Sequence, residues 1–172
     1  MNKIVLFSLT LISAVSFTLK ASNVQVRQKA PDFTLVDEAG QQITLSDMRG
    51  QKVALYFYPK DGSLSFNLSP QCTKQACSIR NGIVKLEEAG ITVIGINSGS
   101  VASHKKFKEG FNLPFTLLSD NGNKVAKLYG ANGWFGLPAR MTFLIDESGD
   151  IVNIINDIDV ASHDQQILNG FE

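Results

Sequence analysis

Cysteine is scarce in this chain: 172 residues contain two, Cys72 and Cys77. At most one intrachain disulfide can form, which excludes a small scaffold stapled by several bridges. Net charge is missing too, with 16 Lys+Arg set against 16 Asp+Glu. That balance provides no basic field for nucleic acid or an anionic surface. Lys105, Lys106 and Lys108 do cluster, and a solvated helix face accounts for them. Internal repeats and low-complexity tracts are absent. What remains is a length suited to one ordinary domain with a good core.

The N-terminus differs in kind from the rest. Lys3 precedes Ile4-Val5-Leu6-Phe7 and an apolar stretch with scattered Ser and Thr up to about Leu19. An early positive charge, a short apolar run and a small residue before a polar segment read as a secretory signal. The run is short and hydroxyl-rich for a membrane span, which needs about 20 apolar residues, so a cleaved signal is expected ahead of the alternative, an uncleaved anchor. The expected division is a signal peptide at 1–21 and a mature domain at 22–172. Cleavage after Ala21 puts Leu19 at the −3 position, and Ala14 with Ser16 offers a second site. Export, with a periplasmic destination, is the expectation.

Residues 22–32 read as an extended lead-in. Phe33-Thr34-Leu35-Val36 and Gln42-Ile43-Thr44-Leu45 flank Asp37-Glu38-Ala39-Gly40 and predict a hairpin. Residues 53–58 are apolar on both faces, as a central, doubly covered strand requires. After a Ser- and Asn-rich loop at 62–68, helical spacing runs over 73–89 through Ala76, Ile79, Ile83, Val84 and Leu86, and Gly90 stops it. Strands follow at 91–96, 115–118, 141–145 and 151–155, with helices at 100–111, 123–129 and 162–168. This order predicts an α/β three-layer sandwich with a mixed central sheet and an N-terminal β-hairpin.

Ser69 followed by Pro70 is a helix-start signature, which puts Cys72 at the third helical position. There the helix end offers orphan N–H donors and positive potential to a thiolate. A free thiol has a pKa of about 8.5. The helix end contributes about 0.3–1 kcal/mol, at best around 2, and one pKa unit is about 1.36 kcal/mol. The helix alone therefore lowers a thiol's pKa by about 1.5 at most, and a thiolate near neutrality wants a second positive group. His104 and His163 fall in helices far from the site in sequence. Arg140, just before the strand at 141–145, is the better candidate.

Cys77 lies five positions after Cys72. Five helical steps give about 7.5 Å of rise and about 140° of rotation. The resulting Cα separation of about 8–9 Å exceeds the roughly 7 Å limit for a disulfide. The two thiols cannot bond while the helix is intact, so a bond between them requires its first turns to unwind. A permanent staple closing so short a loop also restrains the unfolded chain little. A thiolate oxidised to sulfenic acid and captured by a nearby thiol is the natural use of such a pair.

At this point the chain resembles the peroxiredoxins, specifically the bacterioferritin-comigratory or Q-type group, over about residues 28–168. The resemblance rests on Lys29-Ala30-Pro31-Asp32-Phe33, Tyr56-Phe57-Tyr58-Pro59-Lys60-Asp61, Ser69-Pro70-Gln71-Cys72-Thr73 with Cys77, Ser103-His104-Lys105-Lys106-Phe107, Leu117-Leu118-Ser119-Asp120 and Arg140-Met141-Thr142-Phe143-Leu144-Ile145-Asp146. It implies a thioredoxin-like fold. Cys72 becomes the peroxidatic cysteine that attacks a hydroperoxide. Ser69 orients the peroxide, Pro70 shields the thiolate, and Arg140 supports thiolate and peroxide. Cys77 becomes the resolving cysteine of an intramolecular disulfide with Cys72. Thioredoxin or another dithiol donor then restores the enzyme, with no metal or prosthetic group, and the chain is a monomer or weak dimer. Residues 62–68 have no counterpart in the family pattern. An exported enzyme would also need a reductant other than cytoplasmic thioredoxin.

Two other readings stand beside this one. An exported thioredoxin-like disulfide oxidoreductase shares fold and compartment, but such enzymes place their thiols as Cys-x-x-Cys near the helix start. A non-enzymatic module that kept the fold leaves Ser69, Cys72, Cys77 and Arg140 unexplained. Phe66, Trp134 and Phe135 are expected to pack in the core or within loops rather than to line a mouth.

Overall fold

The computed structural model describes residues 24–62 and 70–172. The expected signal peptide, Phe66, Ser69 and all of the 62–68 segment except Gly62 lie outside them.

Among the described residues seven strands form one sheet. They are β1 (Thr34–Asp37), β2 (Gln42–Thr44), β3 (Lys52–Phe57), β4 (Ile91–Asn97), β5 (Thr116–Ser119), β6 (Met141–Ile145) and β7 (Ile151–Ile155). The spatial order is β2-β1-β5-β4-β3-β6-β7. β3, β4 and β5 run parallel, while β1 on one side and β6 and β7 on the other run antiparallel to their neighbours. Four helices accompany them: α1 (Pro70–Glu88), α2 (Val101–Phe111), α3 (Lys124–Tyr129) and α4 (His163–Gly170). The predicted order of elements, the hairpin and the mixed sheet are all present, and the fold is thioredoxin-like.

β3 shows why the sheet is covered twice. Val53, Leu55 and Phe57 enter one core, with Phe33, Leu45, Tyr129 of α3 and Phe143. Ala54, Tyr56 and Tyr58 enter the other, with Ala76 and Ile79 of α1, Phe107 of α2 and Ile167 of α4. Successive side chains on a strand point to opposite faces, so an unbroken apolar run feeds two cores at once. Each large apolar side chain fully buried this way stabilises the fold by about 1.5–3 kcal/mol.

Local signals act where the sequence places them. The Ser100 side chain accepts from Ser103 N at 3.2 Å and caps α2. Asp37 Oδ1 accepts from Ala39 N and Gln41 N, at 2.9 and 2.8 Å, and shapes the hairpin turn. Three expectations need correction. The lead-in is not extended throughout, since Arg27 turns the chain with φ 69° before Lys29 bridges to Asp150. Lys108 does not simply face solvent: it pairs with Glu38 of the hairpin turn. Trp134 and Phe135 pack against neither core, being 85% and 98% exposed. They sit on a tight turn in which Phe135 is left-handed (φ 54°), and this throws both rings outward. No helix among the described residues is long and apolar enough to cross a membrane.

Candidate active site

Among the described residues α1 runs from Pro70, which puts Cys72 near its start. Proline suits the first helical position because its missing N–H has no intrahelical partner there. Pro70 itself is exposed. Cys72, Gln75, Ala76, Ile79, Gly82 and Leu86 form the buried face of the helix, a 3.6-residue stripe facing the sheet. Cys72 is 4% exposed.

The register of the sheet delivers Arg140. β6 pairs antiparallel with β3 so that Met141 lies opposite Phe57. The residue before Met141 therefore arrives at the carboxyl end of β3, where α1 begins. Arg140 Nη2 donates to Cys72 Sγ at 3.3 Å. Its Nη1 donates to Gln75 Oε1. Cys72 and Gln75 are one helical turn apart on the same face, and the planar guanidinium fork spans them. Two donors held this way set both the position and the orientation of the charge beside the sulfur.

Gln75 is fully buried, and its sequence position alone gave no hint of this role. The available signal was a glutamine on the apolar stripe of a helix, one turn after a cysteine. Its Nε2 has no hydrogen-bond partner among the described residues, and neither does the buried hydroxyl of Tyr56. Tyr56 and Tyr58 stack with ring centroids 5.2 Å apart. Burial, followed by the Asp61 and Cys72 charges, pushes the Tyr56 hydroxyl well above its ordinary pKa, with Arg140 pulling the other way. Tyr58 is raised as well, by burial first and then by Tyr56 and Asp61. Both phenols stay neutral beside the thiol.

A second missed group holds the end of β3. The Asp61 carboxylate accepts from Tyr58 Oη and Asn97 Nδ2, each at 2.8 Å, from Ser103 Oγ, and from His104 Nδ1 at 3.0 Å. Burial pulls the Asp61 pKa upward, but the bonds from His104, Ser103 and Tyr58 outweigh it and hold the carboxyl below its usual range. Gly62 follows, and a Cβ there would fall 2.0 Å from Thr73 Oγ1, so only glycine lets this stretch lie against α1. His104 is thus far from Cys72 in sequence yet belongs to the packing around its helix.

His163 is also brought in. It is buried, its ring 6.5 Å from Tyr56, centroid to centroid. Gln166 Oε1 accepts from Asp159 N at 2.9 Å, which fixes the amide, and faces His163 Nδ1 at 3.1 Å. Nδ1 therefore carries the proton, and Nε2 accepts from Thr142 Oγ1 at 2.9 Å. Burial lowers the His163 pKa below the usual imidazole value, with the Gln166 bond opposing and the Arg140 charge adding to the lowering.

Cys77 is half-buried and, like Cys72, a free thiol. Both belong to one unbroken helix, the arrangement in which a bond between them is geometrically barred. Among the described residues no cluster of three or more His, Cys, Asp or Glu could hold a metal ion. A buried sulfur, a clamped guanidinium and a second thiol in reserve can attack an electrophile and later close a disulfide.

The sequence profile of the AhpC/TSA family matches residues 26–154. A Coxiella burnetii protein named as a peroxiredoxin bcp is 42% identical over 153 residues, covering 85% of this chain and 97% of that protein. A chloroplastic peroxiredoxin Q of Oryza sativa subsp. japonica is 47% identical over 129 residues, 74% of this chain; the match spans only 57% of that longer protein. A Xanthomonas campestris bacterioferritin comigratory protein, solved in trapped intermediate and ligand complexes to study alkyl peroxide reduction, superposes with a TM-score of 0.72 at 25% identity, over 85% of this chain and 94% of that one. The chain therefore belongs to the AhpC/TSA family, as a peroxidase of the peroxiredoxin Q and bcp kind.

Proposed function

We propose that this peroxiredoxin reduces hydrogen peroxide and organic hydroperoxides through Cys72, with Cys77 as its resolving partner. The Cys72 thiolate attacks the distal oxygen of the O–O bond. An S–OH group forms, and the leaving alkoxide or hydroxide takes a proton to become alcohol or water. Cys72 is oxidised to sulfenic acid and the peroxide is reduced. Arg140 donates to the thiolate before attack and to the polarised peroxide oxygens during it. Ser69 orients the peroxide and Pro70 covers the sulfur. α1 then unwinds at its start. The Cys77 thiol attacks the sulfenic sulfur, the hydroxyl departs as water, and a Cys72–Cys77 disulfide remains. Thioredoxin or an equivalent dithiol donor returns both thiols and is itself oxidised to a disulfide. In an exported enzyme that donor is a periplasmic dithiol protein. The chain works as a monomer or weak dimer.

The observation that carries this reading is the fork from Arg140 to Cys72 Sγ and Gln75. It places a fixed charge against a buried sulfur. The Cys-x₄-Cys spacing within one helix argues against a disulfide oxidoreductase. The test is mass spectrometry of the reduced protein before and after one equivalent of peroxide. Wild type is expected to form a Cys72–Cys77 bond. Cys72→Ser is expected to consume no peroxide, and Cys77→Ser to stop at sulfenic acid. Peroxide consumption surviving in Cys72→Ser would end this reading. The mass of protein recovered from the periplasmic fraction also reports whether residues 1–21 are removed.

A further inference from the structure

The residue after Cys77 is tied to another helix. Ser78 is buried, and its Oγ donates to Asp164 Oδ1 at 2.6 Å while accepting from Asp164 N at 3.3 Å. Asp164 lies in the first turn of α4. One turn beyond Ser78, Gly82 is buried beneath the same side chain. A Cβ at Gly82 would fall 2.4 Å from Asp164 Oδ2 and 2.5 Å from Asp164 Cβ. Glycine at that position is what lets Asp164 lie across α1. Gln165 Nε2 donates to Asp164 Oδ2 at 3.1 Å. This tie between α1 and α4 lies one residue past the second thiol.

Resting on the proposed resolution by Cys77, this contact has a consequence for that step. The bond forms only if helix is lost between the cysteines. Helix from Ser78 onward is held by a reciprocal pair of hydrogen bonds, and Gly82 gives that pair its seat. We infer that Asp164 is a positioning residue for resolution: its grip on Ser78 steadies the turn that follows Cys77, holds the reduced helix closed, and so opposes the unwinding between Cys72 and Cys77 that the bond requires. The reaction it governs is the condensation of Cys72 Sγ–OH with Cys77 Sγ–H to a disulfide and water. The sulfenic sulfur is reduced and the thiol sulfur oxidised. The grip therefore sets how long the sulfenic acid survives before capture, and so how much of it a second peroxide can carry on to sulfinic acid.

The experiment uses the full chain. Reduced protein is mixed with one equivalent of hydrogen peroxide, and both steps are timed by quenching with a sulfenic-acid trap and by mass spectrometry. Asp164→Ala and Ser78→Ala are expected to leave the oxidation step within about threefold of wild type and to speed disulfide formation about five- to tenfold. They should also yield less sulfinic acid at high peroxide. Asp164→Asn keeps an acceptor and the backbone donor, and should stay within about twofold of wild type. Gly82→Ala, which pushes Asp164 aside without touching its chemistry, should match Asp164→Ala. Disulfide formation at or below the wild-type rate in folded Ser78→Ala and Gly82→Ala overturns the inference. So does a lowered melting temperature with an unchanged ratio of resolution to oxidation, which marks a purely structural contact. A wild-type protein that forms sulfenic acid but no Cys72–Cys77 bond overturns the proposed function, and this inference falls with it.

Discussion

Replacing Arg140 removes the positive charge that donates to the Cys72 sulfur. The contact is a charged donor at 3.3 Å, and hydrogen bonds to charged groups contribute about 1.5–3 kcal/mol. At about 1.36 kcal/mol per factor of ten, that range spans roughly 10- to 150-fold in rate. Arg140 is only partly buried, so solvent screens its charge and the lower part of the range applies. Arg140→Ala should slow the second-order reaction of reduced protein with hydrogen peroxide by about 10- to 30-fold. Lysine restores a charge but not a fork and cannot serve Cys72 and Gln75 together. Arg140→Lys should therefore fall between alanine and wild type. Gln75→Leu leaves the guanidinium present but loses its second anchor, and should cost about three- to tenfold. Competition for limiting peroxide against a second peroxidase measures this step with no reductant involved. A folded Arg140→Ala protein within about threefold of wild type refutes the claim that this contact drives attack. A Gln75→Leu protein at the wild-type rate refutes the claim that Gln75 aims it.

Three further predictions concern stability. Because the folded chain binds a proton at His163 less readily than the unfolded chain does, the stability from its neutral imidazole is complete above about pH 6.5. It is lost as pH falls through the lower folded value; denaturant melts from pH 7.5 down to 5 should show this decline, and His163→Gln should flatten it. The Asp61 carboxylate, held below its ordinary range, contributes stability above about pH 3.8 that disappears as pH falls through its folded value. At neutral pH Asp61→Asn should cost about 2–4 kcal/mol by the same assay, since an amide oxygen cannot accept the bonds that both carboxylate oxygens receive. Finally, a left-handed non-glycine residue is strained by about 1–2 kcal/mol, while glycine costs about 0.5–1 kcal/mol in unfolded-state entropy. With its ring 98% exposed and so contributing no packing, Phe135→Gly should stabilise the fold by roughly 0.5–1 kcal/mol, and a destabilised variant would show that the ring has a partner.

The sequence alone determined the architecture. An apolar run at residues 53–58 had to be a doubly covered strand, because alternate side chains leave a strand on opposite sides. Pro70 and Gly90 bracketed the first long helix, because the backbone chemistry of those two residues is local. The same counting put Cys72 at the third helical position and Cys77 beyond bonding reach. The helix end alone is too weak to hold a thiolate, and that shortfall points to Arg140. What only the tertiary structure decided is how distant residues meet. The β3–β6 register brings Arg140 over Gln75, which reads in the sequence as an ordinary polar residue on an apolar stripe. Asp61 and His104 share hydrogen bonds although a helix and a strand separate them in the chain, and Ser78 faces Asp164 from the other end of the domain. Trp134 and Phe135 went the other way, for an aromatic pair in a loop carries no signal of which side of the turn it occupies. Local propensity and periodicity are properties of neighbouring residues. A charge becomes a site only when the packing of the sheet brings its partner to it.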